Sequence, residues 1–122
     1  MKTELEGRSK RFSLELISVL KSFPRGFLGE VIGRQLLKSG TSIGANYREA
    51  NRAGSKADFV HKVNLAEKEA AETVYWLELC EEAGLGASVE GVGAHSRRIV
   101  AFGRIGDAGG NGAVEINAAI QF

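Results

Sequence analysis

Apolar residues recur at helical spacing along most of the first 83 residues, and this pattern predicts three consecutive amphipathic helices. We place them at 9–22, 27–52 and 55–83. Segments containing Pro or Gly separate the helices and are only a few residues long. Because short connections join antiparallel neighbours in helical proteins, we expect consecutive helices to run in opposite directions.

Residues with capping chemistry mark the expected ends of these helices. Ser9 is placed to cap the first helix through its hydroxyl. Ser55, followed three residues later by Asp58, resembles a capping box and predicts that the third helix starts there. Gly84 predicts the end of that helix, because glycine readily adopts the left-handed conformation that terminates helices.

The second helix combines an apolar stripe around Ile43 with three glycines, Gly33, Gly40 and Gly44. Each glycine costs about 1 kcal/mol relative to Ala inside a helix. We therefore expect another helix to approach closely at these positions. The alternative is that the helix breaks near Gly40.

A polar seam lies beside the apolar stripe of the second helix. We expect it to form hydrogen bonds that fix the register between helices or between subunits. The competing interpretation is a binding surface for RNA or for a protein partner. The polar seam consists of Ser39, Ser42, Asn46 and Glu49, with Arg52 near the end of the helix.

The third helix carries the strongest periodic signal of the chain, a heptad-like apolar series from Phe59 to Leu77. A second apolar strip lies beside that series. Because a helix with two apolar strips must bury both, the pattern predicts a homo-oligomer. The predicted oligomer interface comprises this second strip and the small-residue face of the second helix, namely Leu65, Trp76, Cys80, Gly40 and Gly44.

The composition changes after residue 84, where nine of the 16 glycines fall in the last 39 residues. A weak helical pattern predicts a fourth helix at 87–104, and no helical period follows it. We expect an all-α domain at 1–104 and a Gly-rich tail at 105–122 that is disordered or loosely docked. Asn111-Gly112 also permits a hairpin turn in this tail.

Composition narrows the class of protein further. The chain has 122 residues, one Pro and one Cys, which suits a single globular domain in a reducing compartment. No apolar run reaches the length of a membrane span, and the charged N-terminus does not resemble a secretory signal. The expected location is the cytoplasm, with no contact to a membrane.

Charge is distributed unevenly although the net charge is only +1. Residues 1–56 hold eleven Lys and Arg against five Asp and Glu, whereas residues 57–90 hold two against eight. The two halves can neutralise each other, or the first half can face a nucleic acid. The candidate nucleic-acid contacts are Lys10, Arg11, Lys21, Arg34, Lys38, Arg48 and Arg52.

Two long segments, IGRQLLKSGTSIGANYREANRAGSKADF and AEKEAAETVYWLELCEEAG, resemble the bacterial four helix bundle protein family, also called the 23S rRNA intervening-sequence proteins. The resemblance implies an antiparallel up-and-down four-helix bundle that assembles into a ring-like homo-oligomer, a pentamer. The activity of the family is largely undefined. A distant relative, the accessory protein of diversity-generating retroelements, binds a reverse transcriptase and nucleic acid. The Gly-rich sequence after Gly106 departs from the family pattern.

Catalytic chemistry is not indicated by the sequence. His61 and His95 lie far apart without companion ligands, and Cys80 lies on an apolar flank, so we expect neither a metal site nor a cofactor. The glycines lack the context of a phosphate loop. We expect a non-enzymatic assembly or scaffold module for a protein or ribonucleoprotein partner. The alternative is direct binding of RNA or DNA through the basic face of the first two helices. The expected partners are further copies of the chain, and RNA or a nucleic-acid-processing protein.

Overall fold

Three α-helices joined by two short loops form the described part of the chain. The computed structural model describes residues 2–85. Helix α1 spans Lys2–Lys21, α2 spans Phe27–Ala50 and α3 spans Lys56–Ala83. Helix is the only regular secondary structure among these residues, which confirms the all-α prediction. The predicted fourth helix and the Gly-rich tail lie outside the described residues.

Helix α1 begins seven residues earlier than the sequence pattern predicted. Ser9 is therefore not a capping residue, because it lies buried inside the helix. Its hydroxyl donates a hydrogen bond to the carbonyl oxygen of Leu5, 2.9 Å away. An ion pair of 3.3 Å between Glu4 and Arg8, one turn apart, supports the additional helical turns. The prediction was wrong because a serine in an apolar stripe can satisfy its hydroxyl on the preceding turn.

The structure agrees with the predicted course of α2 and with the predicted capping residues of α3. Helix α2 is continuous through Gly40, so the predicted alternative of a break is not observed. Ser55 caps α3, and its Oγ accepts a hydrogen bond of 3.1 Å from the backbone N–H of Asp58. Gly84 ends α3 with a φ of 72°, in the left-handed conformation.

Helix α2 is the central element, because it packs against both α1 and α3 while those two helices make few contacts with each other. Both pairs are antiparallel. Gly33 of α2 faces Leu20 of α1 whereas Gly44 faces Ser9, and Ser39 bonds to Thr73 of α3 whereas Glu49 pairs with Lys62. The core between the helices is apolar. Its buried residues are Phe12, Leu16, Leu36, Ile43, Tyr47, Ala50, Val63, Ala66, Ala70, Leu77 and Cys80.

The glycines of α2 bring α1 close to its backbone. A Cβ atom at Gly40 would overlap the side chain of Leu16, and one at Gly44 would lie 3.2 Å from the hydroxyl of Ser9. The close approach predicted from the sequence is therefore present, and it occurs between α1 and α2 of one chain. The close contact between the two helices offsets the helix stability that is lost when Gly replaces Ala.

Gly29 and Gly33 provide a matched test of this close packing. A methyl group at Gly29 would overlap the backbone carbonyl of Pro24, whereas one at Gly33 would make ordinary contacts of 3.6 Å with Leu20 and Phe23. We expect Gly29→Ala to lower the free energy of unfolding by about 1–3 kcal/mol. Gly33→Ala should instead raise it by up to about 1 kcal/mol, because Ala favours helix more than Gly does.

Urea denaturation of both variants, followed by circular dichroism at one fixed protein concentration, measures this difference. Equal effects of the two substitutions would contradict the packing described for the loop between α1 and α2.

Candidate interaction surfaces

The polar seam of α2 is divided between two structural roles. Ser39 is buried against α3, where its Oγ lies 2.9 Å from the Oγ1 of Thr73 in a hydrogen bond between the two hydroxyls. Ser42 and Asn46 instead bond within α2. The Ser42 hydroxyl donates to the carbonyl of Lys38, and the Asn46 amide donates to the carbonyl of Ser42.

The two remaining members of the polar seam lie toward different helices, Glu49 toward α3 and Arg52 toward α1. Glu49 forms an ion pair of 2.9 Å with Lys62 of α3, and this hydrogen bond is the main reason that the pKa of Lys62 is raised. The pair is largely exposed, so it contributes little to stability. Arg52 is exposed and lies on the side of α1. The polar seam was predicted to fix the register between helices or subunits. Of its five residues, Ser39 and Glu49 bond to α3 in this way.

Cys80 and the two glycines of the predicted oligomer interface lie inside the chain. Cys80 has no exposed surface, and burial, with a smaller effect of Glu81, raises the pKa of its thiol. Gly40 is buried against α1, and Gly44 also faces α1. Three of the five predicted residues are thus accounted for by packing within the subunit.

Leu65 and Trp76 remain partly exposed on α3. The indole of Trp76 packs against the core on one side, and its N–H donates to the carboxylate of Glu72 over 3.4 Å. Its ring also meets Tyr75 edge to face, with 5.2 Å between the ring centroids. Trp76 therefore belongs partly to the core, and its replacement would disturb folding as well as any interface.

Tyr75 marks a surface that the sequence analysis missed. Its side chain is 55% exposed, which is unusual for a large aromatic residue. It belongs to a series with alternating steps of three and four residues, and such a series follows one face of a helix. We call this face the outer stripe of α3, and it consists of Leu65, Lys68, Glu72, Tyr75, Leu79 and Glu82.

The first two turns of α2 expose a second group of apolar side chains. Phe27 is 77% exposed, Leu28 60% and Val31 45%. Because α2 and α3 are antiparallel, these turns lie beside the end of α3. We call this group the α2 apolar cluster.

A groove runs along the outer side of the α1–α2 pair. It contains two concavities, of about 630 Å³ and about 450 Å³. The residues that α2 contributes follow one another along a single face of that helix. We call it the α1–α2 groove. The larger concavity is lined by Leu20, Phe23, Pro24, Arg25, Gly29, Glu30, Gly33, Arg34 and Leu37. The smaller one is lined by Glu6, Lys10, Ser13, Thr41, Gly44, Ala45, Arg48, Glu49 and Arg52.

The structure brings together four of the seven predicted nucleic-acid contacts. Lys10, Arg48 and Arg52 line one concavity of the α1–α2 groove, and Arg34 lines the other. The other three are exposed but line neither concavity, and they are Arg11, Lys21 and Lys38.

Lys38 belongs to a different electrostatic environment. Burial and the neighbouring Glu72 raise the pKa of Glu69, and the charge of Lys38 partly offsets that effect. The charge of Lys38 therefore acts on α3, and Lys38 lines neither concavity of the α1–α2 groove.

Tyr47 is a core residue and not a stacking platform for bases. Burial raises the pKa of its phenol to about 12, and the negative charge of Glu67 adds to this effect. Within residues 2–85, no group of three or more His, Cys, Asp or Glu side chains is arranged to hold a metal ion. None of the three described helices is long and apolar enough to cross a membrane.

Comparison with known proteins identifies the family. The family model for 23S rRNA-intervening sequence proteins matches residues 2–96. This chain belongs to that family. Among solved structures, it is similar to a protein of unknown function from the S23 ribosomal protein family of Bacteroides thetaiotaomicron. The two share 39% sequence identity with a TM-score of 0.70, over 79% of this chain and 91% of the other. No curated protein matches the chain.

The Ser39–Thr73 hydrogen bond of this family member can be tested by a double-mutant cycle. Thr73→Val leaves the buried hydroxyl of Ser39 without that partner, so we expect the free energy of unfolding to fall by about 1–3 kcal/mol. Ser39→Ala combined with Thr73→Val should cost clearly less than the sum of the two single substitutions, because neither polar partner then remains. Additive effects in chemical denaturation would show that the two hydroxyls do not interact.

Proposed function

We propose that this family member is a non-enzymatic, homo-oligomeric helical bundle that serves as an assembly module for a protein or ribonucleoprotein partner. The observation that supports this proposal is the exposure of large apolar side chains on the α2–α3 side of the molecule. These are Phe27, Leu28, Val31 and Tyr75. Groups of exposed large apolar side chains, such as the α2 apolar cluster, are characteristic of protein–protein contact sites.

The arrangement of the helices supports a complete antiparallel up-and-down four-helix bundle. In such a bundle, the first and third helices both pack on the second and lie diagonally opposite each other. Helices α1, α2 and α3 have this relationship. We infer that the fourth position of the bundle lies between α1 and α3.

Direct binding of RNA or DNA is the competing function, and the structure favours it less. Lys10, Arg48 and Arg52 form a basic group in the α1–α2 groove, but Glu6 and Glu49 line the same concavity. Arg34 lines the other concavity together with Glu30, and Arg11, Lys21 and Lys38 line neither concavity. A continuous basic surface, which phosphate-driven binding requires, is therefore interrupted.

Light scattering of the purified full chain at micromolar concentration tests the proposed assembly. We expect a molar mass that is a multiple of the chain mass, five chains for a pentamer. Tyr75→Glu should lower this mass, because it places a charge on a surface that becomes buried on assembly. Leu14→Glu is the matched control, because Leu14 on α1 is 56% exposed and belongs to neither of the exposed apolar groups above.

The control variant should keep the mass of the unmodified chain. Circular dichroism of both variants should show unchanged helix content. A monomeric unmodified chain would contradict the proposal, and so would a Tyr75→Glu variant that assembles normally.

A further inference from the structure

The outer stripe of α3 and the α1–α2 groove carry opposite charge. The outer stripe carries two negative charges, Glu72 and Glu82, against the single positive charge of Lys68. The surrounding residues 69–85 hold five Glu and no Lys or Arg. The groove is lined by five basic residues and three acidic ones. One of those acids, Glu49, forms an ion pair with Lys62 of α3. The groove therefore presents an excess of positive charge.

The acidic residues of α3 are placed unfavourably for an isolated helix. Glu78 and Glu82 are four residues apart and repel each other on one side of the helix. They also lie in the last turns of α3, where the helix dipole is negative and no basic residue is present. A positively charged surface on another molecule would reduce both the repulsion between these carboxylates and their unfavourable interaction with the helix dipole.

The shapes of the two surfaces also match. Small residues on α1 and α2 keep the groove shallow and open, among them Ser13, Gly33, Gly44 and Ala45. From Glu30 to Glu49 the groove extends about 29 Å along α2, at 1.5 Å per residue. The outer stripe, from Leu65 to Glu82, extends about 26 Å by the same measure. A groove of this length accommodates the whole stripe.

The two surfaces cannot meet within one chain. Helix α3 packs on a different face of α2 from α1, and the outer stripe faces away from the core. The outer stripe can reach an α1–α2 groove only on a second copy of the chain.

We infer that the outer stripe of α3 in one copy docks into the α1–α2 groove of the next copy. Tyr75 and Leu79 supply the apolar centre of this contact, opposite Leu37 and the small residues of the groove. Glu72 and Glu82 face Arg34 and Arg48. Because the two surfaces differ, the contact is heterologous, and repeating it closes a ring when the rotation between copies permits. This inference rests on the proposed homo-oligomer and specifies its contact surfaces.

Charge reversal on each surface tests the inference. The groove variant carries Arg34→Glu and Arg48→Glu, and the stripe variant carries Glu72→Lys and Glu82→Lys. Each variant places like charges in contact, so we expect the dissociation constant of the oligomer to rise on the order of 100-fold. A chain with all four substitutions restores opposite charges and should assemble again by itself. Lys56→Glu is the control, because it changes an exposed charge outside both surfaces.

Light scattering and sedimentation over a concentration series at low salt provide the readout, with circular dichroism to verify folding. A lower molar mass in solution for both double variants, and its recovery in the fourfold variant, would support the inference. If the unmodified chain is oligomeric and all variants keep its mass, this contact is wrong while the proposed assembly stands. A monomeric unmodified chain overturns both. If the groove variant loses only affinity for a structured RNA, without a change of mass, the groove is a nucleic-acid site and the inference fails.

Discussion

The close approach of α1 to α2 at Gly40 and Gly44 determines the rest of the structure. At these positions the absence of a Cβ atom lets Leu16 and Ser9 lie against the backbone of α2. One face of α2 is thereby occupied by α1, and α3 takes the adjacent face through Ser39 and Thr73. Within residues 2–85 no further helix covers the outer face of the α1–α2 pair, and its small residues line the groove.

Much of this fold could be predicted from the sequence because its determinants are local. The caps at Ser55 and Gly84 and the apolar period of α3 are encoded within a few neighbouring residues. The start of α1 was not predictable in that way. Ser9 has good capping chemistry, and only its burial against Gly44 shows that the hydroxyl bonds back to the preceding turn instead.

The interaction surfaces were harder to predict, because exposure depends on which helices pack together. The glycines indicated a close contact, but the sequence could not specify whether α1 or another subunit supplies it. Cys80 and Trp76 lie on one apolar flank of α3, and folding buries the first completely and the second in part. Tyr75 follows the adjacent stripe and stays exposed. The outer stripe also recurs at steps of three and four residues in the sequence. The apolar series that forms the core has a stronger signal at the same spacing, so the outer stripe was not recognised.

The position of the groove depends on the packing of α1 of the same chain against Gly40. A double-mutant cycle with Gly40→Ala and Leu16→Ala tests it most directly, with the free energy of unfolding measured at fixed protein concentration. Gly40→Ala should destabilise the unmodified chain by about 1–3 kcal/mol, because the added methyl group overlaps Leu16. In the Leu16→Ala background, the same change should be neutral or stabilising by up to about 1 kcal/mol. Strictly additive effects would contradict this packing and the position of the groove that depends on it.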